Sequence, residues 1–260
     1  MMFRAVNRNR AVILAGTEAW NPDGTPHTLT IGRGSCVVRV VDESGKIPLN
    51  ALTDSSAAIL KKLLSNRGVS SELADRIADS ILDWRDADDL HRLNGAESDY
   101  YLSLARPYRA ANREFETLEE LILVRGITPE ILYGTSGAGG IMPFLTVYGT
   151  SVRINLNAAP REVLEAVPGI DSAAVERIID FRNSAEIRGD AAVRQLLGAA
   201  HPLAGSYLAA DPEGPSLFTV EAAAYREDPR TAYAIRATIA LDRSQRHRFV
   251  YYKSPADPLP

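Results

Sequence analysis

With 260 residues, 45% apolar and 24% charged, the chain can bury a core and reads as an ordinary globular protein of one or two domains. A formal net charge of −4 and the lack of a sizeable basic patch exclude general electrostatic attraction to nucleic acid or anionic membrane. Cys36 is the only cysteine, which excludes an internal disulfide and a cysteine-based metal site.

Residues 2–19 are predicted to form a helix with Phe3, Val6, Val12, Ile13 and Ala15 partly buried, ended by a turn at NPDG, 21–24. The apolar run AVILAG at 11–16 is far shorter than the roughly 20 residues a membrane-spanning helix needs, and it is too short for a signal-peptide core. HTLTIGRGSCVVRVVDESGKIPLN alternates apolar and polar residues, which predicts two strands split at Gly32 and Gly34. Helical spacing follows. Leu52, Ile59, Leu60, Leu63 and Leu64 share one side of 50–65, and Leu73, Ile77, Ile81 and Leu82 share one side of 71–84.

From Asp83 to Tyr101 the chain reads DWRDADDLHRLNGAESDYY, with six carboxylates and an Asn-Gly pair between one helix and the next. Crowded carboxylates repel unless neutralised, and a hard cation with oxygen ligands neutralises them readily. On the EF-hand loop Asp86 falls at position 1, Asp88 at 3, Asn94 at 9 and Glu97 at 12. Leu90 at position 5 and His91 at position 6, where a glycine is required, depart from that pattern. The residues therefore allow an irregular calcium loop, or a solvated surface on which Arg85, Arg92 and Arg106 pair with the acids.

Short helices are predicted at 118–124 and 129–133, a glycine-rich loop at 134–140, a strand-like stretch at 144–157, and a helix pair at 159–166 and 172–183. The glycine-rich loop lacks the Gly-Lys-Ser/Thr ending of a phosphate-binding P-loop. SLFTVEAAAYRE, TAYAIRATIALDR and HRFVYYK, separated by DP and SQ turns, predict an antiparallel meander. RGVS at 67–70, RGIT at 125–128 and PGID at 168–171 each place a glycine, an aliphatic residue and a capping residue before a new helix. Their spacing is unequal, so one turn is reused without a solenoid repeat.

The third copy resembles a helix-hairpin-helix, which holds a nucleic-acid phosphate on backbone amides. Asp171 stands where the second glycine is needed, and Glu162, Glu165, Glu176 and Asp180 surround it, which favours a packing role over nucleic-acid binding. For catalysis the signals are poor. His27, His91, His201 and His247 are scattered, and neither HExxH nor GxSxG occurs. Metal-assisted hydrolysis on the acidic loop remains the enzymatic alternative.

In order, VVRVVDESGKIPLN, ADRIADSILDWRDADD, NGAESDYY, FETLEELILVRGITPEIL, LTVYG and INLNAAPREVLEAVPGI resemble the type II secretion minor pseudopilin K family, also called general secretion pathway protein K. The resemblance implies an α+β fold: a pilin-like antiparallel sheet with an N-terminal helix, carrying a large inserted helical domain with helix-hairpin-helix-like pairs. Laid on this chain, residues 1–49 and 206–260 would be pilin-like and 50–205 the inserted domain, with 143–157 adding strand to either part. It further implies a non-enzymatic, periplasmic tip subunit of the pseudopilus that assembles with minor pseudopilins I, J and H and engages the secretin or cargo. Calcium bound in the helical domain is implied too, carried here to Asp86, Asp88, Glu97 and Asp99, with Asp83 and Asp89 behind them. Family members begin with a prepilin leader and a membrane-spanning helix, so the chain as written is expected to be a truncated, soluble form.

Overall fold

A computed structural model describes residues 2–7, 10–15, 18–20, 22–31, 34–135, 138–210, 216–225, 233–241 and 247–256. The chain divides into two compact units: Met1–Gly45 with Glu213–Pro260, and Lys46–Pro212. The second unit is therefore one unbroken stretch lying, in sequence, between the two halves of the first.

The first half opens with strands β1 (Met2–Asn7), β2 (Arg10–Ala15) and β3 (Glu18–Trp20), joined antiparallel in the order β1-β2-β3. The helix predicted over 2–19 is thus corrected to a three-stranded sheet. Val6, Val12 and Ile13 are β-branched and lose side-chain freedom in a helix, whereas a pleated strand accommodates them. A run this short carries no periodicity that separates the two states, and pairing of β1 with β2, Ala5 opposite Ala11, satisfies the backbone as strand. Next come β4 (His27–Ile31) and β5 (Gly34–Asp42), paired antiparallel with Leu29 opposite Cys36. Gly32, the first of the two predicted breaks, and Asn21 of the NPDG turn lie outside the described residues. Along β5 the alternation is real: Cys36, Val38 and Val40 are buried on one face with Trp20 and Phe218.

Lys46–Pro212 begins with the two-residue strand β6 (Ile47–Pro48) and a 3-10 turn at Leu49–Ala51. The helix predicted from residue 50 starts later, as α1 (Ala58–Asn66), because Asn50 spends its side chain on tertiary contacts instead of extending a helix. Its amide donates to the carbonyls of Phe115 (2.9 Å) and Val147 (2.8 Å), and its oxygen accepts from Phe115 N–H (2.9 Å). Helix α2 (Ser71–Arg85) packs on α1, burying Ile59, Leu60, Leu63 and Leu64 with Ile77, Ile81 and Leu82. Each such aliphatic side chain contributes about 2 kcal/mol when fully buried. There follow α3 (Ser98–Leu102), a 3-10 segment at Leu118–Leu123 and α4 (Pro129–Tyr133).

The stretch predicted as strand over 144–157 pairs only at its ends. β7 (Gly134–Thr135) and β8 (Ala138–Gly139) form a small hairpin whose tip, residues 136 and 137 of the glycine-rich loop, lies outside the described residues. β9 (Leu145–Thr146) then runs parallel to β6, and β10 (Ile154–Asn155) runs parallel to a later strand, β11 (Leu208–Ala209). Between β10 and β11 come α5 (Arg161–Ala166), α6 (Ser172–Ser184), α7 (Gly189–Leu197) and α8 (His201–Ala204).

The three reused turns behave alike. Gly68, Gly126 and Gly169 have φ of 82°, 89° and 80°, in the left-handed region where a side chain is strained. Ser70, Thr128 and Asp171 then accept the backbone N–H of Leu73, Ile131 and Ala174 at 3.4, 3.3 and 2.6 Å, capping α2, α4 and α6. Asp171 therefore uses its carboxylate on the amide end of α6, where a phosphate would need those amides free.

The last third supplies β12 (Ser216–Tyr225), β13 (Tyr233–Leu241) and β14 (His247–Ala256), an antiparallel meander that joins the first half in one sheet of order β14-β13-β12-β5-β4. Strand β12 pairs antiparallel with β5, Val220 opposite Val40, so the sheet is completed by segments from both ends of the chain. The predicted DP and SQ turns lie outside the described residues. Among the described residues, no helix is long and apolar enough to cross a membrane.

Candidate metal centre

Helix α2 carries its site at its last turn. Ile77, Ala78, Ile81, Leu82 and Trp84 are buried, and Asp83 is buried among them, with none of its surface exposed. Four residues earlier, so one turn back on the same side of the helix, stands Asp79. The returning loop lies along this side: Asn94 donates its N–H and its side-chain amide to Asp79 Oδ2 (3.2 and 3.0 Å), and Arg92 N–H points at both oxygens of Asp83 (3.3 Å). Gly95 follows, and a Cβ built on it would overlap the Asp83 carboxylate, so the loop approaches the helix this closely only because residue 95 has no side chain. The Arg125 guanidinium lies over the Tyr100 ring, 4.5 Å from its centroid, and donates to the Gly95 carbonyl (2.9 Å). Below it Tyr101 is fully buried beside Trp84, edge to face at 5.0 Å, and its hydroxyl accepts Arg125 N–H (3.2 Å). At the helix end, Arg85 turns back to donate to the carbonyls of Asn50 and Leu52.

This scaffold brings Asp83, Asp86 and Glu97 together, with one carboxylate oxygen of each within 4.8 Å of the others. Arg92 Nη1 sits between two of them, 2.7 Å from Asp83 Oδ1 and 2.6 Å from Asp86 Oδ2. Three carboxylates and one guanidinium leave a formal charge of −2 when all are ionised. Glu97 is only 1% exposed, and among the described residues neither of its carboxylate oxygens has a hydrogen-bond partner; Asp86 Oδ1 is likewise buried and unpartnered. Burial, reinforced by the negative charges of Asp83 and Asp86, pushes the Glu97 carboxyl from 4.5 up to about 7. For Asp83, burial outweighs the Arg92 hydrogen bonds and also raises the pKa. Hydrogen bonding to Asp54 holds the Arg92 guanidinium firmly protonated, and Arg92 in turn holds the Asp54 carboxyl below the usual carboxylate range.

Buried carboxylate oxygens without donors need either a proton or a cation. The donors here are all hard oxygens, the set suited to calcium or magnesium and unsuited to thiolate-selecting metals. The residues fit such an ion: Asp86 Oδ1 and both Glu97 oxygens are free to bind it, and the surplus charge of −2 matches it.

Of the ligands expected from sequence, the structure brings together Asp86 and Glu97 of the first four and Asp83 of the two behind them. Asp88, Asp89 and Asp99 are exposed; Asp88 Oδ1 accepts Leu90 N–H (2.8 Å), and Asp99 pairs with His91 Nε2 at 2.8 Å. Asn94 grips Asp79 and closes the loop onto α2. Of the arginines expected to pair with the acids, Arg92 does so, with Asp83 and Asp86, while Arg85 turns to backbone carbonyls; Asp54, Asp79 and Gly95 escaped notice as parts of the site. Helical spacing carries no signal for Asp83: from Ile77 and Ile81 the apolar stripe continues to Trp84, and Asp83 stands off it, one turn on from Asp79.

Residues 45–148 match the family described as Type II secretion system (T2SS), protein K. A Pseudomonas aeruginosa protein named Type II secretion system protein K is 33% identical over 172 residues, covering 64% of this chain and 49% of that protein. A protein of the same name from Pectobacterium carotovorum subsp. carotovorum is 38% identical over 79 residues, covering 30% of this chain and 24% of that protein. The chain thus spans about half the length of the first relative and about a quarter of the second. A chain in the crystal structure of the GspK-GspI-GspJ complex from the enterotoxigenic Escherichia coli Type 2 Secretion System is similar in fold, with a TM-score of 0.64 at 18% identity, covering 91% of this chain and 86% of that one. The mixture of helices and antiparallel sheet described above is therefore a fold shared with a solved protein, and the family that the ordered motifs resemble is the one these comparisons return.

Proposed function

We propose, on the premise that residues 45–148 are a domain of the type II secretion system protein K family, that this chain is a minor pseudopilin of the secretion pseudopilus. It acts by assembly and without catalysis, in the periplasm, at the pseudopilus tip, and contributes to protein export across the outer membrane. In this reading Met1–Gly45 and Glu213–Pro260 make the pilin-like part and Lys46–Pro212 is the inserted helical domain. The observation that carries it is the continuous match of residues 45–148, which includes the whole acidic loop and the RGIT turn. The fold match to a chain of the GspK-GspI-GspJ complex supports partners of the I and J type, with H as a further subunit and secretin or cargo as later contacts.

The test is reconstitution. Mixed with the soluble parts of minor pseudopilins I and J from the same organism, the chain is expected to co-elute as one complex in size-exclusion chromatography. Separate elution of all three at micromolar concentration would refute the assembly role.

The metal centre has a structural part in this proposal. Calcium held by Asp83, Asp86 and Glu97 ties the end of α2 to the start of α3, and the exposed Asp88, Asp89 and Asp99 add negative potential that draws the cation in. The ion would supply only charge neutralisation and a fixed loop; the tight packing of Gly95 on Asp83 already sets the loop's path.

A further inference from the structure

We infer that Asp54 and Arg92 are positioning residues for the cation: Asp54 fixes the Arg92 guanidinium, which holds one oxygen each of Asp83 and Asp86 and leaves Asp86 Oδ1 for the ion. The inference rests on the reading of the carboxylate cluster as a calcium site. Asp54 lies in the turn ahead of α1, 38 residues from Arg92 in sequence, and its side chain is 76% exposed. It takes Arg92 Nε at 2.7 Å and Nη2 at 3.4 Å, one whole edge of the guanidinium. A guanidinium is a rigid planar fork, so gripping that edge sets the direction of the remaining nitrogen. That nitrogen, Nη1, is the one that reaches Asp83 Oδ1 and Asp86 Oδ2.

The occupancy of the oxygens points the same way. Arg92 takes Asp86 Oδ2 and leaves Asp86 Oδ1 buried and unpartnered, together with both oxygens of Glu97. A guanidinium that simply took a cation's place would stand among all three carboxylates. Arg92 instead contacts two from one side and leaves the third unpaired. It also offsets one negative charge of the clustered three, the fourth carboxylate on it, Asp54, being exposed and screened by water, so one divalent ion can neutralise the cluster. Partners one step behind the ligands fix ligand orientation, and their loss commonly weakens metal affinity about 10- to 100-fold.

The experiment is calcium titration calorimetry on the full chain, freed of metal with chelator, in wild type, Asp54→Asn, Asp54→Glu and Arg92→Lys. Asp54→Asn is expected to bind calcium about tenfold more weakly. Asp54→Glu should recover much of the affinity, and the metal-free melting temperature of Asp54→Asn should stay at the wild-type value because the residue is exposed. Arg92→Lys, which cannot hold two carboxylates and Asp54 together, should also bind more weakly. Calcium bound by wild type with unchanged or tighter affinity in Asp54→Asn overturns this inference and leaves the site standing. No calcium binding by wild type overturns the site and the inference together.

Discussion

Glu97→Gln tests the metal centre most directly, because it removes one charge while keeping the shape of the side chain. The folded-state pKa of Glu97 is raised, from 4.5 to about 7, so its contribution favours folding below pH 4.5 and is lost as the pH rises through about 7. At about 1.4 kcal/mol per pH unit, keeping Glu97 ionised without a cation costs about 3 kcal/mol at pH 8. A glutamine removes the charge but still leaves amide atoms short of partners, so the metal-free protein should gain about 1–2 kcal/mol there. For a chain of this size that is about 2–8 °C in melting temperature. At pH 4.5 the two proteins should melt together. Calcium at 100 times its Kd should stabilise wild type by about 2.7 kcal/mol and the variant by much less. The measurement is thermal unfolding followed by circular dichroism, with chelator and with calcium, at both pH values. A variant that melts below wild type at pH 8 in chelator, or that keeps the full calcium shift, would refute the reasoning.

Two of the three reused turns, at Gly68 and Gly126, predict a graded response to Gly→Ala. At Gly68 nothing lies within 4 Å of the added Cβ, so only the left-handed backbone is strained, by about 1 kcal/mol; at Gly126 the Cβ would stand 2.9 Å from Ile77 Cγ1, which brings the loss to about 3 kcal/mol. Urea unfolding would rank them, and equal losses would disprove the packing argument. Asn50→Ala removes three hydrogen bonds joining the start of the helical unit to Phe115 and Val147, and should destabilise it by about 3 kcal/mol in the same assay. A loss below about 0.5 kcal/mol would mean that water replaces the amide.

Much of the helical unit is legible in the residues, because the forces that decide it are local. Helical periodicity places Ile77 and Ile81 on one buried side, and Ser70, Thr128 and Asp171 each cap a helix from three residues before the amide they bind. The meander of β12, β13 and β14 is legible for the same reason, since neighbours in sequence pair. The segment over 2–19 is not, because its apolar run is too short to separate helix from strand and the partner strand decides.

The carboxylate site divides along that line. Its place, between α2 and α3, can be read from the density of acids in one loop. Which acids meet cannot, since Asp83 enters from a helix face, Glu97 from the far end of the loop, and Arg92 is set by Asp54 from ahead of α1. Sequence by itself determined the turns, the caps and the family resemblance, all carried by residues a few positions apart. Tertiary structure alone decided the inner ligand set, because it depends on groups brought together across many residues, where burial removes water and makes an unpaired charge expensive; the N-terminal sheet pairs neighbours in sequence and was hidden only because its runs are too short to carry a period.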